Sequence, residues 1–164
     1  MRTKGQLLST EFIFGTVIFC LLLILVLISF SDANILINTK TEMKNDFDIA
    51  FSTSDFLVLS QGAPNNWQDN NIGSIYKIGL AKTKNEIDRN KLLKFIDLNS
   101  QYSSAKDLLG LQQYDLYVSF TNGQNANTLY EFGIYPDNNA TVTTVTRYAV
   151  LDSNVIKINI KVWK

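Results

Sequence analysis

The chain has 164 residues with 15 basic and 15 acidic side chains, so its formal net charge is zero. This length corresponds to about one ordinary domain, and the balanced charge gives no sign of a nucleic-acid-binding surface. Histidine is absent and Cys20 is the single cysteine, which excludes an internal disulfide and removes the residues used in most acid–base catalysis and transition-metal sites. We therefore expect no enzyme activity, no metal and no other cofactor.

An apolar segment without charge or proline extends from Phe12 to Phe30. As an α-helix it would span roughly 28 Å, close to the hydrocarbon thickness of a bilayer. Arg2 and Lys4 precede this span and Asp32 is the first charge after it, so the positive-inside rule predicts a cytoplasmic N-terminus and an extracellular C-terminal domain. Within the span, we interpret Cys20 as a small apolar residue rather than a lipid-attachment site.

A junction between charged and apolar sequence lies just ahead of the span, at Lys4-Gly5-Gln6, and Ser9 and Glu11 follow it. It resembles the type IV pilin family, and more narrowly the archaeal class III signal peptide. In that family the leader is cut before the apolar segment, which stays on the mature protein. The spacing here is Gln-x-x-Ser-x-Glu, one residue longer than is usual in the family, so cleavage after Gly5 would make Glu11 the sixth mature residue.

The resemblance implies a set of partners and residue roles. A prepilin-type peptidase would cut between Gly5 and Gln6, and the N-terminal helix would then pack against the helices of other pilin-like subunits. Glu11 would pair with the new N-terminal amine of a neighbouring subunit. The residues alone leave another interpretation open, in which Glu11 is an interfacial acid that the helix dipole favours in the first turn.

Beyond the span, a stripe of apolar and small residues continues to recur at helical spacing: Met43, Phe47, Ala50, Phe51, Ser54, Leu57 and Val58. Gly62-Ala63-Pro64 is a strong stop signal. We therefore predict one helix from Gln6 or Leu7 to about Leu59, with Met43, Phe47, Phe51 and Leu57 packed on the outer domain. The predicted divisions are a leader at 1–5, a membrane or filament-core helix at 6–31, its amphipathic continuation at 32–60, and a globular domain at 61–164.

The outer domain combines helical and period-two patterns, and it is predicted to be α+β. The predicted short strand is 76–81, the two inserted helices are 88–98 and 103–109, and the four main strands are 114–121, 129–135, 142–150 and 155–163. We expect a roughly four-stranded antiparallel sheet packed on the long helix, an arrangement that looks like the architecture of a type IV pilin.

Other candidate residues lie in the outer domain. Asn139-Ala140-Thr141 is the one N-glycosylation sequon of the chain. Trp67 is interpreted as packed on the end of the long helix rather than as a sugar platform. The acids Asp46, Asp48, Asp55 and Asp69, with those of 85–97, are interpreted as solvated surface.

Further stretches are similar to a group of uncharacterised archaeal pilin-like proteins, namely Leu57–Trp67, Ile78–Ala81, Leu108–Leu111 and Tyr114–Tyr117. The resemblance implies a structural subunit, major or minor, of an archaeal type IV pilus-like surface filament. The alternative is a single-pass membrane protein that does not polymerise and presents its outer domain as a binding module, for example for a surface sugar or an S-layer component. An anchored enzyme is disfavoured because no nucleophile–base pair is evident.

The Gly5–Gln6 junction gives a direct test of processing. We expect the mature protein to begin at Gln6, and Gly5→Leu to block the cut, because the peptidase would no longer meet a small residue there. Intact-mass measurement and N-terminal sequencing of the native protein check this. Retention of Met1 or a start near Asp32 would contradict the pilin interpretation.

Overall fold

Helix α1 is the first element of the structure and runs from Thr10 to Leu59. This computed structural model describes residues 10–123 and 127–164, without the side chains of residues 10, 11 and 32–39. The predicted end of the long helix at Leu59 is confirmed. Its predicted start at Gln6 or Leu7 lies outside the described residues.

The chain divides into two compact units, residues 1–43 and 44–164. In the first unit, Phe12–Ser31 is long and apolar enough to cross a membrane, and none of its residues is buried within the structure. Such an N-terminal helix fits a transmembrane anchor or a signal helix. Thr16 Oγ1 donates to the Phe12 carbonyl at 2.9 Å, so the helix itself satisfies this hydroxyl.

The second unit contains the outer part of α1 and an α+β domain with one hydrophobic core. Its strands are β1 (Ala81–Thr83), β2 (Glu86–Ile87), β3 (Asp115–Asn122), β4 (Thr128–Gly133), β5 (Thr143–Leu151) and β6 (Asn154–Trp163). Its short helices are α2 (Arg89–Asp97) and α3 (Tyr102–Leu108), with 3₁₀ turns at Trp67–Asp69, Ile72–Ser74 and Leu98–Gln101.

The four main predicted strands are present close to their predicted positions, as β3 to β6. They pair antiparallel in the order β5-β6-β3-β4. In β6 the predicted alternation is confirmed, since its apolar residues at even-numbered positions are buried: Ile156, Ile158, Ile160 and Val162.

The whole sheet has six strands and is mixed, so the prediction of a roughly four-stranded antiparallel sheet needs correction. Strands β1 and β2 form a small hairpin whose turn places Asn85 at φ 62°, and β2 joins β5 in parallel at the pair Glu86–Val150. Both strands are too short to produce a period-two signal. Of the predicted strand 76–81, Lys77 forms an isolated bridge with Ala63 and only Ala81 enters β1.

Both predicted short helices are confirmed, and local sequence explains their ends. The Asp88 carboxylate accepts hydrogen bonds from the backbone N–H groups of Asn90 and Lys91, at 2.8 and 3.2 Å, which caps α2. Beyond α3, Gly110 takes φ 76°, a left-handed conformation that glycine adopts at little cost. The two helices pack Leu92, Phe95 and Ala105 into the core.

The chain leaves α1 through a tightly packed junction. The Leu57 carbonyl at the helix end accepts from the Leu80 backbone N–H at 2.9 Å. Trp67 is fully buried and its Nε1 donates to the Gly79 carbonyl at 2.8 Å. A Cβ at Gly62 would lie 2.4 Å from the Trp67 ring, and one at Gly79 would lie 2.3 Å from the Ser60 carbonyl oxygen. The packed interpretation of Trp67 is therefore confirmed.

Lys91 of α2 also bonds to the segment that follows α1. Its Nζ donates to the carbonyls of Gln61 and Ala81, at 2.8 and 3.3 Å. Burial lowers the pKa of Lys91, and the nearby Asp88 carboxylate opposes that shift. The ammonium group thus satisfies the Gln61 carbonyl just beyond the end of α1, where a positive charge suits the helix dipole, and also a carbonyl of β1.

Three of the four large α1 residues predicted to pack on the outer domain are exposed. Leu57 is fully buried as predicted, but Met43, Phe47 and Phe51 are 65%, 51% and 41% exposed. The buried part of the predicted stripe is made of smaller side chains, together with Leu57: Ala50, Thr53, Ser54 and Val58. Met43 and Phe47 come before Ala50, where full burial begins, and at about 3.6 residues per turn Phe51 lies at the edge of the buried stripe.

Leu57 and Leu59 provide a matched pair for testing this face, since Leu57 is 0% and Leu59 is 46% exposed. We expect Leu57→Ala to lower the free energy of unfolding by about 2–5 kcal/mol, because it leaves a cavity in the core. Leu59→Ala should change it by about 0.5 kcal/mol or less. Denaturant unfolding of the full chain in detergent, followed by tryptophan fluorescence, measures both. Equal losses would mean that the helix packs through another face.

Candidate assembly surfaces

The predicted processing and pairing residues lie at the beginning of the chain. Gly5 and Gln6 are outside the described residues, so the cleavage site stays a prediction. Glu11 belongs to helix α1, but its side chain is not described. Its pairing with a neighbour's amine therefore also stays a prediction.

The apolar span is the first candidate surface. The described side chains from Phe12 to Ser31 are exposed on every side of the helix. Free Cys20 lies among them. A helix that is apolar all round is stable in lipid or among other apolar helices, and is unfavourable in water.

The second candidate surface is formed by Phe47 and Phe51 and is called the aromatic flank below. The two rings stack with centroids 5.9 Å apart and an interplanar angle of 30°. Both residues belong to the second unit, beyond the membrane-length segment Phe12–Ser31. About half of each side chain is left in contact with solvent, next to the buried face of α1.

Arg147 of β5 holds the edge of the aromatic flank in place. Its guanidinium carbon lies 4.4 Å from the centre of the Phe51 ring. Its Nη2 donates to Asp55 Oδ1 at 2.6 Å and its Nε donates to Ser54 Oγ at 3.0 Å. Because the side chain is partly buried and makes three contacts with α1, it fixes the helix against β5 more firmly than an exposed ion pair would.

A second polar contact joins α1 to the residue just before β3. The Tyr114 hydroxyl donates to Asp46 Oδ1 at 2.8 Å, and Lys164 Nζ lies 3.8 Å from the same oxygen. Asp46 and Asp55 were assigned to solvated surface by sequence. Their side chains are 27% and 37% exposed, and each also bonds to a residue outside α1.

The face of the sheet opposite α1 carries a small aromatic cluster. Tyr117 and Tyr135 meet edge to face with ring centroids 5.1 Å apart, and Lys161 Nζ lies 4.7 Å from the Tyr135 centroid. Burial, helped by a hydrogen bond to Glu131, raises the pKa of Tyr117 to about 12. The neutral phenol is therefore strongly favoured at physiological pH, and the cluster is a packing feature rather than an acid–base pair.

The surface of the domain has shallow clefts of about 230 to 290 Å³. They fall below the usual size of a small-molecule site. One lies beside Asp55, Arg147 and Asn85, where the Asp55–Arg147 ion pair already occupies the charged groups. Within residues 10–123 and 127–164, no group of three or more metal-ligating side chains is placed together.

Asn139 lies in the loop between β4 and β5, where its side chain is exposed. The structure assigns it to a turn. The sequence missed Arg147, although a signal was present: alternation in β5 places it on the same side as the buried Val145 and Ala149. A charged residue at an inward position usually has a partner.

No protein-family model, curated protein or solved structure matches the chain.

Proposed function

We propose that the chain is a structural subunit, major or minor, of an archaeal type IV pilus-like surface filament. A prepilin-type peptidase would first remove residues 1–5, and the N-terminal helix would then leave the bilayer and pack among the helices of neighbouring subunits. The support comes from the Lys4-Gly5-Gln6 junction, from the span that follows it, and from an α+β domain packed on the outer part of the same helix.

The aromatic flank is the observation that favours assembly over a simple anchor. A bilayer would cover Phe12–Ser31, but it gives no reason for two stacked and exposed phenylalanines farther along α1. A second copy of the chain is the occupant we propose, both for the span and for the flank.

Such a contact would be heterologous, joining different surfaces of two identical subunits, and repeated application of it builds an open filament. Span side chains would exchange lipid for neighbouring helices without desolvating any charge in Phe12–Ser31. Glu11 is the exception and needs a cation in that environment. The neighbour's N-terminal amine would supply it.

Glu11→Gln separates assembly from anchoring. If the neighbour's amine loses its counter-ion in an apolar core, the cost is several kcal/mol per subunit and filament assembly should fail. If Glu11 only favours the helix dipole, the loss is about 0.3–1 kcal/mol and assembly should persist. The measurement compares mutant protein in sheared and membrane fractions, after confirming removal of residues 1–5.

Glu42→Gln is the matched control, because Glu42 is an exposed acid in the same helix. It should leave recovery in the sheared fraction unchanged. Normal recovery of Glu11→Gln in sheared filaments would remove Glu11 from assembly. Absence of the native protein from sheared material would instead support the membrane-anchored binding module.

The aromatic flank is tested by replacing Phe47 and Phe51 together with serine. Because the two residues are 51% and 41% exposed, we expect a smaller loss of domain stability than Leu57→Ala causes, even though Arg147 loses the Phe51 ring, and at least a several-fold fall in sheared-filament recovery. Tyr76→Ser is the control, since Tyr76 is also an exposed aromatic residue but lies outside α1. Unfolding of the double variant would contradict the assigned exposure, and normal recovery would exclude the flank from the subunit contact.

A further inference from the structure

We propose that Asn139 is an N-glycosylation site, at which the side-chain amide accepts an oligosaccharide from a lipid-linked donor. Asn139-Ala140-Thr141 satisfies the Asn-x-Ser/Thr pattern with a residue other than proline in the middle, and the chain contains no second match. The inference uses one part of the proposed function, namely that the outer domain reaches the extracellular side. It is independent of filament assembly.

The turn geometry presents the sequon to a modifying enzyme. The backbone N–H of Ala140 donates to the Asp137 carbonyl at 3.1 Å, which closes a β-turn with Asn138 and Asn139 at its centre. Pro136 is buried just before the turn. The loop is therefore anchored to the domain by Pro136, while its tip points away from the core.

Both groups that define the sequon are accessible. The side chains of Asn139 and Thr141 are exposed, and within the described part of the chain no hydrogen bond or ion pair engages the Asn139 amide. An amide in a strand ladder or in the core would first have to be released from its partners. Here the transferase can bind Asn139 and the Thr141 hydroxyl without disrupting the core.

The loop position also fits a bulky substituent. Residues 134–142 connect β4 to β5 across the sheet end where β3 begins and β6 ends, as the pairs Tyr117–Gly133 and Thr143–Val162 establish. A glycan at the exposed tip would extend into solvent from this end, because neighbouring side chains Asp137 and Asn138 are also exposed. Loops of this kind tolerate added groups better than packed elements do.

The reaction is a glycosyl transfer. A bond forms between Asn139 Nδ2 and C1 of the donor's first sugar, while the bond between C1 and the oxygen of the lipid-linked phosphate breaks. The lipid phosphate leaves with the bonding electrons, and a base of the transferase takes the amide proton. No oxidant or reductant is required.

Intact-mass measurement and peptide mapping of the protein isolated from its native cells test the proposal. We expect the mature mass to exceed the sequence mass by a sugar-containing increment carried on the peptide with Asn139. Asn139→Gln and Thr141→Ala should each abolish that increment, whereas Thr141→Ser should retain it. Asn138→Gln is the matched control and should leave it in place, since Asn138 is an exposed asparagine in the same turn without a sequon.

A protease applied to intact cells distinguishes failure of this proposal from failure of the proposed function. A domain that is accessible outside the cell but has the unmodified mass would overturn glycosylation alone. An unmodified domain that is protected inside the cell would overturn both. A sugar that persists in Asn139→Gln would overturn the assignment to Asn139 and leave the extracellular location intact.

Discussion

The packing of one face of α1 on the outer domain is what that domain depends on. Cys20, the one cysteine of the chain, lies in the span, so apolar burial must provide the stability that disulfides give many small secreted domains. Ala50, Ser54 and Leu57 of α1 are fully buried in this contact. Arg147 and Tyr114 then bond to this helix from the sheet side and fix its position.

Most of the fold could be predicted from local sequence, because its main signals are local. Alternation in β6, the Asp88 cap of α2 and the stop after Leu59 each act through nearby residues. The β1–β2 hairpin was missed because strands of two or three residues are too short to show a period-two alternation of apolar residues. The large residues of α1 were misplaced for a different reason: Met43 and Phe47 belong to the predicted stripe but come before Ala50, and only tertiary contacts determine where along the helix full burial begins.

The candidate surfaces also divide into those that local sequence predicts and those that depend on tertiary contacts. The apolar span was evident from its composition, since no tertiary contact is needed to recognise twenty such residues. The aromatic flank could not be found that way, because Phe47 and Phe51 belong to the same stripe as Ala50 and Ser54, and the sequence does not show which members of the stripe are exposed. Where a sequence predicts an apolar stripe, the large members that the structure leaves exposed become candidates for intermolecular contacts.

The junction after α1 has a consequence for recognising related chains. Gly62 and Gly79 leave no room for a side chain, and Trp67 fills the space between them while bonding to the Gly79 carbonyl. Substitution at these three positions would disturb backbone that holds the helix end, whereas exposed loops can change freely. Distant homologues would therefore diverge almost everywhere else first. The spacing of two glycines around one tryptophan, just beyond a long helix, is a fingerprint for finding them when overall similarity has faded.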